Sequence, residues 1–394
     1  MKAVVLAAGE GKRLRPFTET MPKVMLPVAN KPIIEHIVDS LKRAGVEEII
    51  IVVGYKKEVV MEHFKDYEDV NISFSIQDKQ LGTAHALETA RKYIKDSFLV
   101  LSGDNIIDHK SILEIISDKS EYSMLIKEHS HPSKYGVVFL KEGMLDKIIK
   151  QPKEDIGRFI STGIYKFPAS IFSRIKEFTS KGDYSLFSVI QSLVDEGKYI
   201  NTIDTSLWMD IVYPWDLIDV NSVITQSYEK SIAGKIEKNV TMKGPVIIGK
   251  DTVISSGSYI IGPVVIGNGC EIGPNVCIFP STTIGDNSVI HPFNEIRNSV
   301  IMNDVHIGSN SFITDSVISK GTILNNNFSS SSGERLIKIE DECKEVKNIG
   351  ALIGEDCNFG NHVVVDPGII IGRKCEIESM KRIRKDIKSN SKVM

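Results

Sequence analysis

From residue 235 onward the aliphatic positions keep strict time. Ile236, Met242, Ile248, Ile254, Ile260, Ile266, Ile272, Ile278, Ile284, Ile290 and Ile296 recur every six residues without a miss. The beat slips near residue 301, returns at Ile307 and Ile313, and breaks. A second run follows at Ile353, Phe359, Val365, Ile371 and Ile377, and glycine often stands after the aliphatic residue, as in VIGNGC and TIGDNS. This period predicts a parallel β-helix, in which each short strand stacks on the one below and turns its aliphatic residue inward. A chance excess of isoleucine does not give an unbroken run of this length.

The first 225 residues have another rhythm. AVVLA and EIIIVV are buried-strand runs, and PIIEHIVDSLKRAG between them has helical spacing and stops on Gly45. FLVLSGD is a third such strand, with Asp104 at its C-terminal end. Alternating strand and helix predicts an α/β domain, a doubly wound and mostly parallel sheet covered on both faces. Ligands of such sheets bind beyond the carboxyl ends of the strands. The expected layout is an α/β domain over 1–225, a linker at 226–235 and a β-helix over 236–378. The segment 325–348 has no six-residue period and reads as an insertion, a lid, a subunit contact or a surface excursion. A basic tail, 379–394, reads as a solvated end.

Composition narrows the function. Charged residues make up 25% of the 394 and the formal net charge is −3, which argues against a general nucleic-acid binder. No apolar run is long enough to span a bilayer, and MKAVVLAAG opens on a strand pattern with nothing leader-like ahead of it. Cys270, Cys277, Cys343, Cys357 and Cys375 lack C-x-x-C spacing. They are expected to be small buried residues in a reducing cytoplasm.

The candidate chemistry starts at LAAGEGKRLRPFT, residues 6–18, a glycine-rich turn crowded with Lys12, Arg13 and Arg15. It is not a nucleotide-hydrolysing P-loop, because the second glycine comes too early and no Gly-Lys-Ser/Thr follows. A dinucleotide-binding turn would need glycine where Leu14 stands, and the second strand ends at Gly54 without a ribose-binding acid. A third possibility is a loop that wraps a nucleoside triphosphate used as substrate. Two polyanions reacting with each other need charge neutralisation, close backbone approach at glycine, and hard oxygen ligands for a cation.

The stretch GEGKRLRPFTETMPKVMLPVANKPIIEHIV, with Asp104 in SGDNI and Asp210 in WMDIVYPWDL downstream, resembles the sugar-1-phosphate nucleotidylyltransferases that carry a C-terminal left-handed hexapeptide-repeat β-helix. The resemblance covers essentially the whole chain. It implies that a sugar-1-phosphate attacks the α-phosphorus of a nucleoside triphosphate and that pyrophosphate leaves. By that likeness Arg13 meets the leaving pyrophosphate, Lys23 bridges the phosphates, and Asp104 and Asp210 hold Mg²⁺. Leu6, Ala8, Gly9 and Gly11 lie against the nucleotide, joined by Gln77, Gly82 and Thr83 from QDKQLGTAHAL. Gln77 would read a pyrimidine edge, but an amide does not sense a methyl group, so UTP and dTTP both stay open. His85 is expected to begin a helix and Asp216 to cap one, with Trp208 and Trp215 as packing.

The sugar side departs from the family pattern. Lys150-Gln151-Pro152 stands for Glu-Lys-Pro and Ser161 for asparagine, whereas Gly136 keeps its place. Each loss should weaken or redirect sugar recognition by about 1 to 3 kcal/mol. In bifunctional relatives the β-helix also acetylates glucosamine-1-phosphate with a histidine base. Here Ser309 stands near that base, Phe312 and Thr314 replace a tyrosine and a glycine, and His306 and His362 are the remaining substitutes. The expected function is thus a cytoplasmic, Mg²⁺-dependent enzyme forming UDP-N-acetylglucosamine or UDP-glucose. Its expected assembly is a homotrimer built through the β-helix. The alternatives are a glucose-1-phosphate thymidylyltransferase, a bifunctional acetyltransferase, and a nucleotide-binding regulator without catalysis.

Overall fold

The computed structural model describes residues 1–394 and divides into two compact units. The first comprises residues 1–10, 21–25 and 33–210; the second comprises 11–20, 26–32 and 211–394. A sequence boundary at 225 does not anticipate this interleaving, in which part of the glycine-rich stretch is counted with the C-terminal half.

The first unit is built on a nine-stranded sheet. Asn71–Ile76, Glu48–Val53, Lys2–Ala7 and Phe98–Ser102 are neighbours in that order and run parallel. Phe159–Phe167 then joins antiparallel, and Tyr122–Glu128, Ile200–Asp204, Met144–Lys150 and Gly136–Lys141 complete a mixed second half. The period of two sorts the central strands onto two faces. Val4, Ile50, Val52 and Val100 enter one apolar core with the helix Leu186–Asp195. Ala3, Val5, Ile49, Ile51 and Leu101 enter the other with the helix Ile33–Arg43. Both faces are covered, so the strands read as continuous apolar runs rather than alternating ones. No helix is long and apolar enough to cross a membrane.

The second unit contains the left-handed β-helix, whose three parallel sheets are each joined along the coil axis. Successive isoleucines of the hexad run lie in successive sheets, and residues eighteen apart pair, as in Ile236 with Ile254 and Ile254 with Ile272. Ile290, however, pairs with Ile307 and Ile307 with Leu324, so those coils are one residue shorter. That deletion is the slip seen near residue 301. It falls at one corner, between Ile296 and Ile301 and again between Ile313 and Ile318. At the same corner of the next coil the chain leaves as a hairpin, Gly333–Ile339 with Glu342–Ile349, before Ile353 resumes below Ile318.

Three expectations need correction. The insertion starts later than 325, because Ser329–Ser330 is a coil strand paired with Val364–Val365. The tail is solvated on its outer face but belongs to the coil: Arg382–Ile383 and Lys392–Val393 pair with the preceding coil. The linker likewise includes Ser231–Ile232, already paired to Ile247 and Ile248. In each case the polar residues face outward and the backbone ladder, which composition does not report, holds the segment. Of the cysteines, Cys270, Cys357 and Cys375 are buried, but Cys343 is exposed on the hairpin. Outward-facing residues of one β-helix sheet, among them Thr283, Val300 and Val317, are also buried. The helix Asp216–Gln226 packs on this sheet, where Asn221 donates from Nδ2 to the Ser281 carbonyl.

Candidate active site

The strand Phe98–Ser102 ends at the carboxyl edge of the parallel half, and Gly103 follows with its amide bonded to the Leu6 carbonyl at 2.8 Å. A Cβ on Gly103 would stand 2.9 Å from that same oxygen, so the approach requires glycine. Asp104 comes next. The short strand Asn105–Ile107 then pairs antiparallel with Trp208–Asp210, in a register that sets Asp210 opposite Asn105. Two aspartates a hundred residues apart are thereby brought to one place.

Lys23, in the 3₁₀ turn Lys23–Met25, completes the cluster. Its Nζ lies 2.6 Å from Asp104 Oδ2 and 3.2 Å from Asp210 Oδ1, and its side chain is 13% exposed. Burial alone would pull the ammonium pKa down; the two carboxylates outweigh it and hold it above the ordinary lysine value. One cation between two anions leaves a net negative charge in a half-buried place, a setting that favours a second cation. The carboxylates are hard ligands of the type Mg²⁺ takes alongside phosphate oxygens. On donor chemistry, the site fits a divalent ion.

Supporting groups fix this constellation. Asn105, buried, donates from Nδ2 to the Thr162 carbonyl at 2.7 Å, and the Trp208 indole donates to the same oxygen at 3.0 Å. Trp208 also meets Tyr135 edge to face, which bears out its reading as packing. Trp215 stacks on Tyr213. Asp216 begins its helix and accepts from the Val212 and Tyr213 amides, so it binds the turn before the helix rather than capping from outside. Asn105 follows Asp104 in SGDNI, but only the strand pairing gives it and Thr162 a role.

The remaining predicted residues fall into distinct environments. Leu6 is half-buried and Ala8 buried at the end of the first strand, while Gly9 is exposed with open space around its Cα. Gly11 has φ 73°, a left-handed conformation, and its carbonyl accepts from Thr18 Oγ1. Gln77 is 4% exposed and its amide nitrogen donates to the Gly82 carbonyl and lies 2.9 Å from His85 Nδ1. Gly82 lies so close to Tyr184 that a Cβ would be 2.5 Å from the Tyr184 carbonyl oxygen. Thr83 does not turn to open space: its Oγ1 accepts from the Leu186 amide and so caps the helix Leu186–Asp195.

On the sugar side, Gly136 and Lys150 are register partners in a hairpin, Gly136 lying under the Phe187 ring and Lys150 exposed. Ser161 follows Ile160 on the adjoining strand, where Ile160 pairs with Val137 beside Gly136. Ser161 is 5% exposed and hydrogen-bonds the Tyr165 hydroxyl at 2.7 Å inside the sheet. Burial raises that tyrosine to about 12. That bond gives Ser161 a structural partner within its own strand. Arg13 belongs to the second unit, where Nη2 lies 3.0 Å from Glu342 Oε1 and Nε 3.7 Å from Glu340 Oε2. His306 is exposed on a coil strand, and His362 is exposed at a corner with φ 57°.

Comparison with known proteins decides the family. A family model described as "Nucleotidyl transferase" matches residues 2–227. The chain belongs to this nucleotidyl transferase family. Two further models match the C-terminal half: "GMPPB C-terminal domain" over 260–332 and "Hexapeptide repeat of succinyl-transferase" over 350–379. The chain is 35% identical to the "Bifunctional protein GlmU" of Methanococcus maripaludis, over 99% of this chain and 96% of that protein. It is 33% identical to the "Bifunctional sugar-1-phosphate nucleotidylyltransferase/acetyltransferase" of Sulfurisphaera tokodaii, over 98% of each. Among solved structures, a Bacillus anthracis protein assigned as a glucose-1-phosphate thymidylyltransferase and bound to sucrose matches with TM-score 0.53 and 28% identity. That match covers 57% of this chain and 94% of the other. As a member of the nucleotidyl transferase family with a hexapeptide-repeat half, the protein is an enzyme.

Proposed function

We propose that this nucleotidyl transferase joins UTP to a sugar-1-phosphate with Mg²⁺, releasing pyrophosphate and forming a UDP-sugar, with UDP-N-acetylglucosamine first and UDP-glucose second. The observation that carries the reading is the convergence of Lys23 on Asp104 and Asp210 at the strand ends. Asp104 and Asp210 would hold the Mg²⁺, which supplies charge neutralisation at the phosphates when bound. Lys23, protonated at neutral pH, holds phosphate oxygens near the reacting phosphorus. The amides of Gly9 and Gly11 face the triphosphate, and Arg13 receives the pyrophosphate as it leaves. Leu6, Ala8, Gln77 and Gly82 frame the nucleotide, with Gln77 reading the base edge. Thr83 acts on that pocket through the helix it caps. Gly136 and Lys150 lie on the sugar side. A phosphate oxygen of the sugar-1-phosphate attacks the α-phosphorus, its bond forms as the bond to pyrophosphate breaks, and no proton transfer by the protein is needed.

Pyrophosphate release measured across UTP, dTTP, CTP, ATP and GTP against a panel of sugar-1-phosphates tests this. Sugar-dependent release with UTP is expected. Nucleotide binding with no release from any pair, magnesium present, would leave a regulator and overturn the enzymatic assignment of this site. The Bacillus match favours a thymidylyltransferase as the second reading, and dTTP turnover above UTP would establish it. Acetyl transfer is favoured by the name of the Sulfurisphaera relative. Thiol release from acetyl-coenzyme A with glucosamine-1-phosphate decides that activity, for which His306 and His362 are the available bases. Assembly as a homotrimer through the β-helix, in the cytoplasm, belongs to the same proposal and is read by light scattering.

A further inference from the structure

The hairpin 333–349 is the part of the chain that the hexad period does not explain. Ile337, Val346 and Ile349 are buried, so it is fastened to its unit rather than free in solvent. From its turn, Glu340 and Glu342 reach the Arg13 guanidinium. Glu342 divides its two oxygens between different partners. Oε1 takes Arg13, whereas Oε2 accepts from the Tyr213 hydroxyl at 2.5 Å and lies 3.0 Å from Lys344 Nζ. Tyr213 is itself pinned by stacking on Trp215, with ring centroids 4.8 Å apart. The Tyr213 and Lys344 bonds hold the Glu342 carboxyl below its usual range.

These contacts make the Arg13 bond the dispensable one. If Arg13 leaves, Glu342 keeps two donors and is not stranded as an unpaired charge. The Arg13 and Glu342 side chains are 40% and 36% exposed, and ion pairs so open to water are weak. A polyphosphate offers the guanidinium more charge and a matching fork of oxygens.

We propose that Glu342, assisted by Glu340, is a positioning residue for Arg13: an exchangeable anionic seat that holds the guanidinium until a triphosphate takes it over and receives it again when pyrophosphate departs. This rests on the reading that Arg13 meets the pyrophosphate end of the nucleotide. The hairpin carboxylates then compete with the phosphates for one cation, so neutralising them should strengthen phosphate binding.

The test uses the full chain and steady-state kinetics with UTP and pyrophosphate. In the double variant Glu340→Gln/Glu342→Gln, the KM for UTP and the inhibition constant for pyrophosphate both fall by about 2- to 5-fold, the range of an exposed ion pair. Glu345→Gln, on the same hairpin away from Arg13, changes neither. A merely structural hairpin predicts the opposite split, a lower melting temperature and a raised or unchanged KM, and that result overturns the proposal. Arg13→Ala separates the two levels. If it leaves the KM for UTP unchanged, the parent reading of Arg13 fails and the seat with it. If it raises KM while the glutamine pair has no effect, Arg13 stands and the seat alone is refuted. In the Arg13→Ala background the glutamine pair should have no further effect; a persisting fall in KM would show that the carboxylates act by another route.

Discussion

The β-helix and the α/β unit spend their sequence in different ways. In the β-helix a single choice, an aliphatic residue every sixth position, is repeated coil after coil, and the inward side chains of all three sheets join one continuous core. In the α/β unit no position repeats another. Lys23, Asp104 and Asp210 are far apart in sequence and meet once, at the end of one strand. A redundant array tolerates local change but transmits none of it, whereas a convergent cluster fails at any one member. The hairpin is where the array departs from redundancy, for it gives the β-helix a side chain specific to Arg13.

Five experiments would break or sharpen this contrast. Ile290→Ala, in the middle of the coil stack, should cost about 2 to 5 kcal/mol of stability by urea unfolding. Pyrophosphate release per folded molecule should stay unchanged; a matching loss of kcat would mean the β-helix core is part of the catalytic machinery. Lys23→Ala should show the reverse, a fall in kcat of roughly 100- to 1,000-fold with the fold retained by circular dichroism. Normal turnover in this variant would remove the convergence argument. Gly82→Ala places a Cβ 2.5 Å from the Tyr184 carbonyl and should cost about 1 to 3 kcal/mol, with a raised KM for nucleotide. An unperturbed KM would detach that turn from the base pocket.

The smallest effect is silent at neutral pH. Tyr165 titrates at about 12 rather than 10.0 because burial disfavours its anion. The folded state therefore holds the phenol proton more tightly than the unfolded chain. The associated stability is full below pH 10 and is lost as pH rises toward 12. Melting temperature against pH should fall over that window, and Tyr165→Phe should flatten the fall. Ser161→Ala should cost about 1 kcal/mol through the same bond and leave the KM for the sugar phosphate unmoved. A raised sugar KM in Ser161→Ala would place that serine in the sugar pocket.

Legibility followed the same division. The isoleucine run announces the three-sheet coil, and even the one-residue shortening of later coils shows as a slip in the beat. Buried-strand runs and the Gly45 stop announce the α/β half. The motif around Lys23 and the two aspartates could be picked out by likeness. Ser161 and Thr83 could not be placed, because a hydroxyl in a motif looks the same whether it faces a ligand, Tyr165 or the Leu186 amide. The ladder that orders the tail and the linker is not legible, since polar composition describes only the outward face of a coil.

The amino-acid sequence by itself determined the period, the strand and helix runs and the stock of charged and glycine residues, because these depend on neighbours within a turn or two of the chain. Which cation faces which anion was decided only in three dimensions. Arg13 and Glu342 are separated by 329 positions, and no local pattern links them. The hairpin register places Glu342, and the Tyr213 hydroxyl and Lys344 hold its carboxylate beside Arg13. An ion pair is fixed by the last few ångströms of packing, whereas a hydrophobic period is fixed by the geometry of the backbone.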